Sequence, residues 1–197
     1  MDAARIVHAG GVLARAFDAY PLFRELFPEE RRRQRALLWY MGFILRYCTR
    51  YGEVYTTAND EGVLTFLTGS RQFTRRKLLA AGLQFGPLHT GIGPFLRLMK
   101  HNNHVGHVSS QLVPPDAWYA WVMGVDAPAR KKGLGLGLMN RLLVAADAAG
   151  ASCYCDTDRR EMLGLLTFLG FKVVHEGRTP TGGLPFWVYL RPAVAKR

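Results

Sequence analysis

Hydrophobic positions recur at helical spacing from near the start of the chain: Val12, Leu13, Ala16, Phe17 and Tyr20 share a face, and Pro21 stops the run. Pro28, with Glu29 and Glu30 suited to the positive end of a helix, opens a second stripe of Leu37, Met41, Ile44, Cys48 and Tyr51 that ends at Gly52. The period then changes. Residues 53–57 and 62–67 are rich in β-branched and aromatic side chains with a polar Asn59-Asp60-Glu61-Gly62 turn between them, which predicts a hairpin. Ser70 predicts the N-cap of a helix reaching Ala81 and closed by Gly82, and a further helix is expected from Pro94 to about His104.

The last third reads more sharply. Trp118 to Val125 is almost continuously apolar, the pattern of a strand buried on both faces. Ala127 to Lys132 is a basic loop. Gly133 then opens a segment whose Leu136, Met139, Leu143 and Ala146 lie on one helical face until Gly150, and Ala151 to Asp156 is the next strand. Strand, loop, helix and strand in so short a span make a βαβ unit, so the two strands run parallel and the loop lies at the carboxyl end of the first. A helix from Glu161 to Leu169 and strands from Phe171 to Glu176 and Pro185 to Leu190 follow. Arg5-Ile6-Val7 is the one place near the start where a short strand could lie.

At 197 residues and 49% hydrophobic content the chain can bury a core, which excludes a disordered tail and makes one domain over 1–197 the default. The longest apolar run, Ala36 to Leu45, is about half of the ~20 residues that a bilayer span needs. The N-terminus does not read as a secretory signal, so a cytoplasmic protein without a membrane partner is expected. Cys48, Cys153 and Cys155 are an odd number and predict buried small side chains rather than disulfides or a metal site. The formal net charge of +11 is spread over both halves and would attract any polyanion. Arg31-Arg32-Arg33-Gln34-Arg35 and Arg75-Arg76-Lys77 read as solvated helix faces; no aromatic platforms lie in register with them, so a nucleic-acid partner is not expected.

The chemistry concentrates in Arg130-Lys131-Lys132-Gly133-Leu134-Gly135-Leu136-Gly137, where a buried strand hands over to a helix. Glycines let a phosphate approach the backbone, the unpaired N–H groups of the first helical turn point at it, and three basic side chains add charge. A pyrophosphate site is therefore expected. A P-loop would need Lys and Ser or Thr after the last glycine, where Leu138 and Met139 stand. A dinucleotide fingerprint would need Gly or Ala at Leu138, although Asp156 lies where a ribose ligand is expected. The third pattern, Arg or Gln, two residues, Gly, one residue, Gly or Ala, is met in full by Arg130, Gly133 and Gly135.

Over Trp118 to Pro192 the chain resembles the GNAT family of N-acetyltransferases, on that loop, on Met123-Gly124-Val125 before it, on Cys155-Asp156-Thr157 and on Leu169-Gly170-Phe171. Within the family it looks most like the puromycin N-acetyltransferase-type branch, where the corresponding strand ends in an acidic residue and Thr. The resemblance implies an α/β fold of α+β type: a mixed central sheet with a parallel, splayed strand pair around the loop, flanked by helices on both faces. It divides the domain into 1–117, shaping the acceptor site, and 118–192, holding acetyl-CoA as co-substrate. It also implies that backbone groups of Met123, Gly124 and Val125 line the pantetheine arm and that the Val125 N–H stabilises the thioester oxyanion. Residues Arg130 to Gly137 would hold the pyrophosphate, and the partner would be a small-molecule amine; monomer and homodimer both remain open.

An alkyl amine with a pKa near 10.4 needs roughly 4 to 5 kcal/mol to reach its nucleophilic form at pH 7, whereas a thiol near 8.5 leaves at much smaller cost, so the base matters more than the acid. Asp156 is the candidate base; its alternative is a cap on the following helix or a partner for Arg159 and Arg160. The Tyr that usually serves the family as general acid is replaced by Leu166, and the Asn four residues earlier by Met162. Tyr154 and Tyr189 are the substitutes to consider. These departures leave a catalytically silent acyl-CoA-binding protein as the second reading. His101, His104 and His107 form a separate titratable cluster that either ends a polar helix or lines the acceptor pocket.

Overall fold

Asp2 starts the chain's first helix by accepting the Arg5 N–H at 2.9 Å, and α1 (Ala3–Phe17) carries Arg5-Ile6-Val7 in helical conformation rather than as a strand. Pro21 stops nothing that is still running; it stands at the first turn of a short α2 (Pro21–Leu26), where its missing N–H costs no hydrogen bond. Next comes α3 (Glu30–Tyr51), the long apolar stripe. The basic run at its start is not wholly solvated: buried Arg33 pairs with Asp18 at 3.0 Å and donates to the carbonyls of Phe27 and Pro28, fastening the α1–α2 segment to α3. The computed structural model describes residues 1–69 and 73–194, so the Ser70 cap lies outside the described residues. The helix expected there is a short α4 (Arg75–Ala80) capped by Thr74.

The hairpin forms as β1 (Glu53–Thr56) and β2 (Gly62–Leu67). Beyond α4 come a short α5 (Gly86–Thr90) and then α6 (Ile92–Leu112), which runs well past His104 and buries one narrow face, Leu98, His101, Val105 and Ser109. Then follow β3 (Trp118–Val125), α7 (Leu134–Ala149), β4 (Cys153–Thr157), α8 (Met162–Phe168), β5 (Lys172–Arg178) and β6 (Pro185–Arg191). Gly170, at φ +86°, lets the chain leave α8 while the Phe171 N–H returns to the Leu166 carbonyl at 2.9 Å, and Phe171 drops into the core.

The six strands lie in the order β1-β2-β3-β4-β6-β5, antiparallel throughout except for the β3–β4 pair. This mixed sheet matches the expected fold class and is not the doubly wound parallel sheet of a dinucleotide site. One face packs on α1, α2 and α3 through Leu13, Leu37, Ile44 and Val122, and the other on α7 and α8 through Leu142, Ala146, Leu166 and Phe171. Cys48, Cys153 and Cys155 are buried and unbridged. No described helix is long and apolar enough to cross a membrane.

Candidate active site

The site begins where β3 and β4 part. They pair only at Trp118 with Cys153 and Tyr119 with Tyr154, and beyond that point no described strand pairs with the β4-facing edge of β3. Pairing of β2 with β3 moves from Thr65–Val122 directly to Phe66–Ala120, leaving Trp121 as an extra residue on β3, a β-bulge. The Val122 N–H bonds to Thr65 Oγ1 at 3.2 Å and the Asp126 N–H to the Glu61 carbonyl at 2.8 Å, both toward β2. Alternation along a strand therefore turns the N–H and C=O groups of Met123 and Val125 into the cleft between β3 and β4. Gly124 faces the opposite layer: a Cβ there would stand 2.9 Å from Ala16 Cβ and Leu13 Cδ2, so its bare backbone lets α1 close onto β3.

At the carboxyl end of β3 the chain turns through Arg130 and reaches Gly133, at φ +77°, the N-cap of α7. The first N–H groups of this helix have no partner within it and face outward with the positive end of the helix dipole. Gly137 has open space around its Cβ position, and a Cβ on Gly135 would make only ordinary contact with Met123 and Val125. Arg130 folds back, donating to the Val125 carbonyl at 3.1 Å and to the Ala16 carbonyl at 3.4 Å, while Lys131 and Lys132 stand exposed beside the helix start. Backbone edge, bare helix start and basic side chains together suit a long anionic ligand lying in the cleft.

Two cavities meet at this cleft. The first, about 350 Å³, runs along Met123, Gly124, Val125 and Arg130 past Thr157, Met162 and Leu166. The second, about 520 Å³, lies between α3, α6 and the start of β3. Tyr40, His101, Asn102, Tyr119, Trp121 and Asp156 line both, so the two cavities border the same six residues.

Among the described residues that line both cavities, Asp156 is the one carboxylate. Its Oδ1 accepts the Tyr119 hydroxyl at 2.7 Å. Burial pushes its carboxyl up to about 6, against a smaller downward pull from that hydrogen bond. The alternative roles do not materialise: Arg159 pairs with Glu161 at 2.6 Å, and α8 starts without a side-chain cap. His101 on α6 lines the same two cavities, buried, its Nδ1 without a partner among the described residues, and burial lowers its pKa to about 4, so it is neutral at physiological pH. His104 instead packs edge-on against Phe186, and exposed His107 contacts Gln111, so the histidine cluster contributes one residue to the site.

Leu166 is buried and lines the first cavity with Met162, so α8 offers no hydroxyl there. Tyr154 lines the second cavity, whereas Tyr189 is buried in the core and lines neither. Four contributors escape sequence reasoning: Tyr119, Tyr40, Asn102, which donates to Tyr40 Oη at 3.0 Å, and Tyr20, whose hydroxyl lies 3.1 Å from Thr157 Oγ1 and accepts the Asp158 N–H. Each comes from a different segment, and only folding brings them together.

The sequence model of the acetyltransferase (GNAT) family matches residues 67–171, more than half of the chain, and the protein belongs to that family. Solved structures with the same fold include one from Corynebacterium glutamicum described as a histone acetyltransferase HPA2 and related acetyltransferase, with 18% identity, a TM-score of 0.66 and coverage of 100% of this chain and 95% of that one. Arylalkylamine N-acetyltransferase 2 from Aedes aegypti is 14% identical at a TM-score of 0.60, over 98% of this chain and 96% of its own. An agmatine N-acetyltransferase is 15% identical at a TM-score of 0.57, over 91% and 90%.

Proposed function

We propose that this protein transfers the acetyl group of acetyl-CoA directly to the primary amine of a small molecule, with residues 118–192 holding the coenzyme and residues 1–117 shaping the acceptor side. The observation that carries this reading is the meeting of the two cavities at Asp156, one bordered by the α7 loop and the other by aromatic side chains. Arylalkylamine and agmatine N-acetyltransferases, which share the fold, are named for amine acceptors. The Asp156-Thr157 end of β4 favours the puromycin N-acetyltransferase-like branch.

Bound in the cleft, acetyl-CoA supplies an activated carbonyl carbon and a thiolate leaving group. Met123 and Val125 present backbone groups to the pantetheine arm, and the Val125 N–H is the donor for charge developing on the carbonyl oxygen. The N–H groups from Gly133 to Leu136, with Arg130, Lys131 and Lys132, hold the pyrophosphate, and Gly137 leaves it room. Once its ammonium form has released a proton to solvent, the amine nitrogen bonds to the carbonyl carbon, the C–S bond breaks, and the excess proton now on the acylated nitrogen passes to Asp156, whose carboxyl near 6 is ionised at neutral pH and free to accept it. Sulfur leaves as thiolate, so the step needs no hydroxyl at Leu166, where one is usual.

Following free thiol while acetyl-CoA is offered with a broad panel of primary amines tests the proposal. Amine-dependent release supports it; no release across the panel, with CoA binding demonstrated by calorimetry, contradicts it. That second result would favour a silent acyl-CoA-binding protein, the reading motivated by Leu166 and Met162 in the cleft.

A further inference from the structure

The layer laid over α3 by α5 and the start of α6 leaves large apolar side chains in solvent. Trp39 of α3 supports it from the inner side, stacking on His89 of α5 at 6.2 Å and meeting Phe95 of α6 edge-on at 6.1 Å. One turn earlier on α3, Arg35 donates to the Leu88 carbonyl at 3.0 Å, and α5 lies on α6 where the Phe95 ring covers Gly86. With their inner sides so held, α5, the short turn before it and the first turns of α6 leave Phe85, Leu88, Ile92 and Leu96 exposed at 51%, 71%, 69% and 61%. Ile92 and Leu96 are one helical turn apart and share a side of α6. Charge around these residues is of one sign. From Gly62 to Pro115 the sequence has no Asp or Glu and six Lys or Arg. Arg75 and Arg76 open α4 just before this layer, Lys100 follows Leu96 by one turn, and all three are exposed, as is Arg35.

We infer that this layer docks the protein on the surface of an anionic lipid bilayer. Phe85, Leu88, Ile92 and Leu96 enter the boundary between headgroups and acyl chains, and Arg35, Arg75, Arg76 and Lys100 meet the negative headgroups. A bilayer presents apolar interior and negative charge at one place, the pairing that exposed apolar side chains flanked by cations match. A nucleic acid answers the charge and leaves the four apolar side chains in water. A protein partner ordinarily adds directed hydrogen bonds, about ten in a typical interface. Between Phe85 and Leu96 the side chains able to make them are His89, stacked on Trp39, and Thr90, whose hydroxyl donates to the Gly86 carbonyl at 2.9 Å. The face therefore suits a fluid apolar surface better than a patterned one. Docking of this kind needs no spanning helix, and no described helix is one.

Cosedimentation of the full chain with vesicles of phosphatidylcholine alone, and of seven parts phosphatidylcholine to three of phosphatidylserine, tests this without relying on catalysis. The mixed vesicles are expected to bind at least about tenfold more tightly at ~0.1 M salt, with most of that advantage lost at ~0.5 M. Leu88→Ser with Ile92→Ser, and separately Arg75→Gln with Arg76→Gln, should each weaken binding to the mixed vesicles at least about tenfold. Neither pair lines the CoA cleft, so unchanged CoA affinity by calorimetry reports that both variants are folded. Equal binding to the two kinds of vesicle, no binding to either, or unchanged affinity in either variant overturns the inference. Heparin binding that Leu88→Ser with Ile92→Ser leaves unchanged, in a protein that ignores vesicles, also overturns it and assigns the cations to a soluble polyanion.

Discussion

Tyr119 donates its hydroxyl hydrogen to Asp156 across the last rung before β3 and β4 separate, Oη to Oδ1 2.7 Å. Burial and the adjacent negative charge hold the Tyr119 phenol well above 10.0, so it remains a donor through any ordinary assay pH. Its bond opposes the burial that raises Asp156. In Tyr119→Phe burial acts alone, so the Asp156 carboxyl rises further and the ascending limb of kcat/KM, expected near pH 6 in the wild type, moves to higher pH. A pH profile that does not move contradicts the coupling.

Gly124 lets α1 lie against β3. Gly124→Ala places a Cβ 2.9 Å from Ala16 and Leu13, and overpacking of this kind costs about 1–3 kcal/mol. Urea unfolding should report that loss. The cleft edges at Met123 and Val125 move with the strand, so weaker CoA binding is expected in parallel.

Gly137 separates ligand binding from stability. It lies in the first turns of α7 with nothing near its Cβ position, so Gly137→Ala should stabilise the free protein by up to about 1 kcal/mol through helix propensity. The same methyl group intrudes where the pyrophosphate is placed and should weaken CoA. Thermal shifts with and without CoA check both signs: a higher midpoint alone, and a smaller increment with ligand.

Asp158 ties the end of β4 to α2, its Oδ2 accepting the Leu22 N–H at 3.1 Å while its Oδ1 is buried without a partner among the described residues. Burial raises its carboxyl from the ordinary 3.8 to about 6. The folded chain thus holds this proton more tightly than the unfolded one, so the contribution to stability is complete below about pH 3.8 and is lost as pH rises through about 6. Asp158→Asn keeps an acceptor for Leu22 without the charge. It should be more stable than the wild type at pH 7, by up to roughly 3 kcal/mol, with the gain vanishing near pH 4. Melting curves at the two pH values decide.

The local parts of this site are written in the sequence. Arg130, Gly133 and Gly135 place the loop, and Gly170-Phe171 marks a helix end followed by a core aromatic, because φ > 0 and a bare helix start are demands on single residues. The Trp121 bulge is not legible: an apolar run carries no period from which an extra residue could be noticed. Nor is the course of α6 past His104, since most of its surface there is solvated and, among its residues beyond that point, Val105 and Ser109 are the buried ones. Tyr119, Tyr40, Asn102 and His101 converge from β3, α3 and α6, and such long-range meetings are decided by tertiary packing rather than by local pattern.

The central claim is that Asp156 takes the proton of an amine attacking acetyl-CoA at the junction of the two cavities. Its most direct test is the rate of acetyl-amide formation from an accepted amine, measured against free thiol for the wild type and for Asp156→Asn, with CoA affinity determined for both. The account predicts one amide per thiol, with kcat falling about 10²–10⁴-fold in Asp156→Asn while CoA affinity is retained. Equal rates of amide formation in the two proteins would contradict it.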